Sequence, residues 1–228
     1  MQSFRKELKF LCNDMDLINI ENRIKTIMKK DEHQNGDFYN IRSIYFDSPT
    51  NTCFFENAGG IGLRDKYRIR IYDRSSWLIR AEIKSKYRDT TSKVSAALSF
   101  GQFENIMKRQ NLRSIVAEND VLDQYVSVLA GAGYRPVTIV EYERTAYIYQ
   151  PCNVRVTFDR NVSASVRFAD FFETDMGSIP ALPPGQHILE IKYDEFLPEY
   201  IAQLLKIGNM RRTSYSKYYY ARLLTGGI

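Results

Sequence analysis

Between Arg64 and Ile71, the cations Arg64, Lys66, Arg68 and Arg70 alternate with Asp65, Tyr67, Ile69 and Ile71. Side chains on an extended strand point to opposite faces with a period of two. One face of this segment therefore carries a row of positive charge, and the other is mostly Tyr and Ile. Like charges in line repel and need solvent, carboxylates or a polyanion opposite them. Charged alternation recurs at Glu7 and Lys9, at Arg80, Glu82, Lys84 and Lys86, at Arg155 and Asp159, and at Glu190 and Lys192. Five such segments predict one sheet with a highly charged face. Guanidinium groups offer paired donors to phosphate oxygens, and ammonium groups offer compact charge. Carboxylates beside them suit Mg2+ or Mn2+, hard cations that bridge phosphate oxygens. Phosphoryl transfer fits this chemistry, because it rests on positioning and charge neutralisation and requires no protein nucleophile.

Other chemistries are poorly supplied. His33 and His187 are the only histidines, too few for a histidine-built metal centre or a Ser-His-Asp or Cys-His site. Gly59-Gly60-Ile61-Gly62 matches neither a Walker loop nor a dinucleotide fingerprint and reads as a turn. Arg211-Arg212 is too short a basic run to argue for nucleic acid, and none is expected as a partner. Cys12, Cys53 and Cys152 are odd in number and widely spaced, as expected of reduced thiols in a cytoplasmic protein. No run of about 18 apolar residues could span a bilayer, so any membrane association is expected through a membrane-protein partner. The net charge of +5 suits an anionic ligand without requiring one.

The elements that must position these residues follow from periodicity and punctuation. Strands are predicted at Phe4–Leu11, Phe38–Asp47, Leu63–Asp73, Trp77–Tyr87, Val137–Tyr149, Val154–Arg160, Val162–Phe168 and Ile188–Tyr193. Arg88–Ala97 reads as a polar segment that includes Lys93. A helix after Asn13 carries Leu17, Ile20, Ile24, Ile27 and Met28, and a short one spans Thr52–Asn57. Ser99 and Gln102 form a capping-box pattern before Phe103, Ile106 and Met107. Further helices are expected over Val116–Ala130, Phe196–Ile207 and Ser214–Leu224. The 228 residues are read as a single α+β domain, residues 1–228, whose eight strands could close into an antiparallel barrel or tunnel with helices packed outside. The charged faces could point outward into solvent. They could instead point inward, with the apolar faces covered by helices.

The motifs resemble the triphosphate tunnel metalloenzymes, and specifically the VTC domain, the catalytic domain of the vacuolar transporter chaperone polyphosphate polymerase. The matching pieces run in order. They are Arg5-Lys6-Glu7-Leu8-Lys9-Phe10, Ser43-Ile44-Tyr45-Phe46-Asp47, Tyr67-Arg68-Ile69-Arg70, Glu82-Ile83-Lys84, Tyr142-Glu143-Arg144-Thr145-Ala146, Val154-Arg155-Val156-Thr157-Phe158-Asp159, Leu189-Glu190-Ile191-Lys192-Tyr193 and Ser216-Lys217-Tyr218. Arg5 stands where the wider superfamily often begins E-x-E-x-K, which favours the VTC-like branch. The chain contains neither a regulatory SPX domain nor a membrane segment of the kind eukaryotic relatives carry, so regulation by inositol pyrophosphates and coupled translocation are not implied.

The resemblance implies a tunnel that binds triphosphate with Mn2+ or Mg2+. It also implies transfer of the γ-phosphate of ATP to a growing polyphosphate chain. By motif position, Lys9, Arg68, Arg70, Lys84, Arg144, Arg155, Lys192 and Lys217 are the implied phosphate-binding cations. Arg68, Arg70, Arg144 and Arg155 would clamp the nucleotide phosphates together with Lys84. Glu190 is the implied metal ligand, with Glu7 a second carboxylate. Lys93 matches less well. A tunnel hydrolase and a non-catalytic polyphosphate-binding subunit remain alternatives at this stage.

Overall fold

The period-two segments form the strands, and N-cap residues set most of the helix starts. The computed structural model describes residues 5–34, 36–88, 90–115, 119–206 and 210–226. In chain order the elements are β1 (Arg5–Asn13), α1 (Asp14–Ile24), β2 (Lys29–Lys30), β3 (Tyr39–Asp47), α2 (Thr52–Ala58), β4 (Leu63–Tyr72), β5 (Ser75–Tyr87) and β6 (Thr90–Leu98). They continue with α3 (Phe100–Lys108), α4 (Asp120–Gly131), β7 (Arg135–Tyr149), β8 (Val154–Ser165), β9 (Ile179–Pro180), β10 (Gln186–Tyr193), α5 (Glu199–Leu205) and α6 (Lys217–Leu224).

The strands pair antiparallel in the order β2-β7-β3-β4-β5-β6-β1-β10-β8-β9, and β8 pairs also with β7. That extra pairing closes a ring of eight strands, with β2 and β9 as short additions. A closed ring leaves its members no free edge. Among the described residues its shortest seam joins β1 to β6 through Arg5 opposite Thr91 and Lys6 opposite Thr90. Where β1 runs past that seam, the Thr213 N–H donates to the Lys9 carbonyl at 2.9 Å and Arg212 bridges Phe10. The segment ahead of α6 therefore lies along β1.

Two expectations are corrected. Residues 90–98, read as part of a polar segment with no strand assigned, form strand β6 and pair with β5 along its whole length. Of the outward positions Ser92, Val94, Ala96 and Leu98, which pack toward the core, two are small, so the usual strand signal is faint. The strands expected at Val154–Arg160 and Val162–Phe168 are one strand, β8. Asn161, at φ 50°, sits where the register against β7 shifts between Glu141 and Glu143, a bulge that bends a strand without ending it.

The helices fall close to their expected places. Asn13 and Asp16 form the capping box of α1, and Ser99 and Gln102 that of α3. Ile27 and Met28 follow the end of α1, and Met28 is still buried. α4 starts after Asn119, whose side chain accepts from the Val121 N–H. α5 starts after Pro198, and α6 starts after Ser216 instead of at Ser214. Phe4, Val116 and Ile207, expected ends of elements, lie outside the described residues.

Between β4 and β5, Asp73 and Arg74 both take positive φ (48° and 57°), the geometry of a two-residue hairpin matched to strand twist.

Helices cover the outer faces of the ring. Ile44, Phe46, Tyr67, Ile69, Ile83 and Ile139 belong to one apolar cluster with Phe103, Ile106, Leu122 and Tyr125 of α3 and α4. Val156, Phe158, Leu189 and Ile191 belong to a second, with Leu17 and Ile20 of α1 and Ile201 of α5. With the apolar alternates buried outside, the charged alternates face inward. No helix among the described residues is long and apolar enough to cross a membrane.

Candidate functional site

Residues directly opposite each other on paired strands share a face. Register places Arg68 between Tyr45 and Glu82, Arg70 between Ser43 and Arg80, and Lys84 between Lys66 and Lys93. Across the ring, Lys9 faces Glu190, Glu7 faces Lys192, and Arg144 faces Asp159. Apart from Ser43, Arg80, Glu82, Lys93 and Asp159, these side chains line a cavity of about 1020 Å³. Twelve of its lining residues are Lys or Arg and two are carboxylates, Glu7 and Glu190. So large an excess of positive charge calls for an anionic occupant carrying many charges.

Of the residues singled out in the sequence, Lys9, Arg68, Arg70, Lys84, Arg144, Lys192, Lys217, Glu7 and Glu190 line this cavity together. Arg155 stands apart from them. It is opposite Lys192 in register, but its guanidinium turns to Asp31 at 2.6 Å and to the Tyr39 hydroxyl at 3.1 Å. The carboxylate of Asp31 draws it away from the lining. Lys93 reaches Glu82 at 2.9 Å from a half-exposed position.

Two fully buried carboxylates hold the cations in place. Glu82 accepts from Arg68 Nε at 2.7 Å and lies 2.6 Å from its Nη2. Burial pushes its carboxyl upward, but Arg68, Arg70 and Lys93 outweigh this and hold it below the usual carboxylate range. Asp159 accepts a two-pronged pair from Arg144 at 2.6 and 2.7 Å and a third contact from Lys217 Nζ at 2.5 Å. Burial is again outweighed, by Arg144 and Lys217, and Asp159 stays ionised. Such clamps fix guanidinium planes before any ligand arrives.

The pair facing the cavity is different. Glu7 contacts Lys9 at 2.9 Å and Lys84 at 3.2 Å. Glu190 lies 3.3 Å from Arg144, 3.4 Å from Lys192 and 3.9 Å from Lys9. Against the effect of burial, Lys84, Lys9 and Lys192 hold Glu7 well below its ordinary value, while Glu7 and Glu190 raise Lys9. Lys192 is pulled down to about 8, by burial first and by Lys84 and Arg144 in addition.

These two carboxylates fit a hard divalent cation. They are oxygen donors on facing strands, both within 4 Å of Lys9 Nζ, and their side chains are almost wholly buried. No group of three or more His, Cys, Asp or Glu able to hold a metal occurs among the described residues. Mg2+ and Mn2+ ordinarily take one or two carboxylates and complete their shell with water and substrate phosphates.

Sequence reasoning passed over several groups here. Tyr45 accepts from Arg68 Nη1 at 3.0 Å. Burial would raise its hydroxyl, but Arg68, Arg70 and Lys217 bring it below the ordinary tyrosine value. Tyr142 accepts from Arg70 at 3.2 Å, and Lys217 Nζ stands 4.7 Å from its ring centre. The signal was present in both cases, since each tyrosine continues the inward alternation of its own strand. Asp47 receives the N–H groups of Ser48, Cys53 and Phe54 and the Tyr218 hydroxyl at 2.5 Å. It ties α2 to α6, which carries Lys217 into the site.

Among solved structures, the chain is similar to a candidate adenylate cyclase from Vibrio parahaemolyticus, with 13% identity over 96% of this chain and 98% of that one and a TM-score of 0.54. It is also similar to a candidate adenylate cyclase from Bacillus halodurans (13% identity, 89% and 86% covered, TM-score 0.49). A protein from Pyrococcus horikoshii OT3 aligns with 18% identity over 96% and 97% of the two chains, with a TM-score of 0.47. The Vibrio structure is a likeness of fold. A search of curated proteins found no match. The VTC domain family matches residues 4–225, nearly the whole length over which the ring, its clamps and the cationic cavity are built. The chain belongs to the VTC domain family.

Proposed function

We propose that the protein is a metal-dependent phosphotransferase that moves the γ-phosphate of ATP onto a growing inorganic polyphosphate chain inside the ring. The cavity of about 1020 Å³ with twelve cationic and two acidic lining residues carries this reading, and the family match supports it. Arg68, fixed by Glu82 and Tyr45, Arg70, fixed by Ser43 and Tyr142, and Arg144, fixed by Asp159, would orient the nucleotide phosphates. Lys9, Lys84, Lys192 and Lys217 would neutralise the transferring group and the acceptor. A divalent cation on Glu190 and Glu7 would supply further charge neutralisation between phosphate oxygens. The terminal phosphate of the acceptor is already anionic, so its in-line attack needs no general base.

Incubating the purified protein with ATP and Mn2+ and sizing the products on a gel tests the proposal. Long-chain polyphosphate is expected. Orthophosphate or pyrophosphate alone would assign the tunnel to hydrolysis with water as acceptor, and binding without turnover would make it a polyphosphate-binding subunit.

A further inference from the structure

Lys66 lies on the wall of the cavity but is held differently from its neighbours. Lys9, Lys84, Lys192 and Lys217 each have a carboxylate within 4 Å. The Lys66 side-chain nitrogen instead donates to the Asn57 amide oxygen at 2.5 Å and the Ser216 hydroxyl at 2.9 Å, and stands 5.3 Å from the centre of the Tyr218 ring. Amide, hydroxyl and ring can orient an amine but cannot neutralise an ammonium. We infer that Lys66 is a further phosphate-binding group of this cavity, recruited together with one proton from solution when a triphosphate enters.

The surroundings support this from each side. Lys84 on β5, Lys9 on β1 and Arg64 on its own strand all repel an added positive charge, and Cys53 on α2, its thiol pushed up to about 12 by burial, carries no charge to offset them at neutral pH. Burial acts first and these cations add to it, so the amine sits well below its ordinary value. From α6, Ser216 and Tyr218 supply only a hydroxyl and a ring face. A phosphate oxygen reaching this wall would reverse the balance, so that –NH2 becomes –NH3+ with the proton drawn from the buffer. Affinity should then fall as pH rises.

This inference rests on the phosphate reading of the cavity, and calorimetry can separate the two. Inorganic triphosphate is titrated at pH 8 without divalent metal, in two buffers of different ionisation enthalpy, into wild type, Lys66→Met and Lys66→Arg. Protons exchanged by the ligand itself are common to all three and cancel. Wild type is expected to take up more protons per triphosphate than either variant. Lys66→Met should bind at least about tenfold more weakly, as expected for the loss of one charge-assisted contact, and Lys66→Arg should retain affinity. Melting curves verify that both variants are folded. Equal proton uptake in all three proteins overturns the role of Lys66, whereas absence of triphosphate binding to wild type overturns the phosphate reading itself.

Discussion

At the scale of single residues, the site separates two kinds of carboxylate. Glu82 and Asp159 are saturated by cations and serve as anchors. Glu7 and Glu190 line the open space. Glu190→Gln is expected to lower turnover by about 100-fold or more, the scale of losing several kcal/mol of charge stabilisation, while leaving the melting temperature close to that of wild type. A metal-titrated assay checks this, and undiminished turnover would remove Glu190 from the mechanism. Arg155→Lys should change turnover far less than Arg68→Lys, because Arg155 is spent on Asp31 and Tyr39. Steady-state kinetics on both variants decide it. The alternation of charges made most of the cavity legible in the sequence. Arg155 was not legible in this way, because Asp31 reaches it from a segment with no periodicity to read.

At the scale of elements, the clamps connect distant pieces of chain. Asp159 of β8 holds Arg144 of β7 and Lys217 of α6. Replacing Asp159 by Asn leaves buried cations underpaired and is expected to cost about 3–5 kcal/mol, read from urea unfolding. Tyr218→Phe removes one donor to the Asp47 carboxylate and should cost about 1.5–3 kcal/mol by the same measurement, loosening α6 from α2. Capping patterns located α1 and α3 well, because Asn13 and Ser99 act through bonds local in sequence. The hydrophobic signal failed at β6, whose outward face alternates Ser92 and Ala96 with Val94 and Leu98. It split β8 at Asn161 because a bulge compensates for a residue that reads as a break.

At the scale of the whole molecule, acid should unfold the protein cooperatively. Glu82 and Asp159 titrate below their unfolded values near 4. Their contribution to stability is therefore complete above about pH 5 and is lost as pH falls through the folded values. Urea midpoints should hold between neutral pH and about pH 5 and drop below it, and Asp159→Asn should flatten that drop. The closed ring was anticipated through the resemblance, and the expected count of eight held only because the split of β8 offset the missed β6; the topology was not legible, because pairing partners leave no local mark. The β1–β10 seam, which places Lys6 opposite Tyr193, has a kinetic consequence. A ribosome must deliver almost the entire polypeptide before that circle can shut, and such distant pairings are paid for in loop-closure entropy before they return anything. Until then the arginines of β4 lack the far wall of their enclosure. Soluble polyanions that recognise only the finished circle should therefore favour the folded state by mass action, so that the cargo of the bore also guards its architecture.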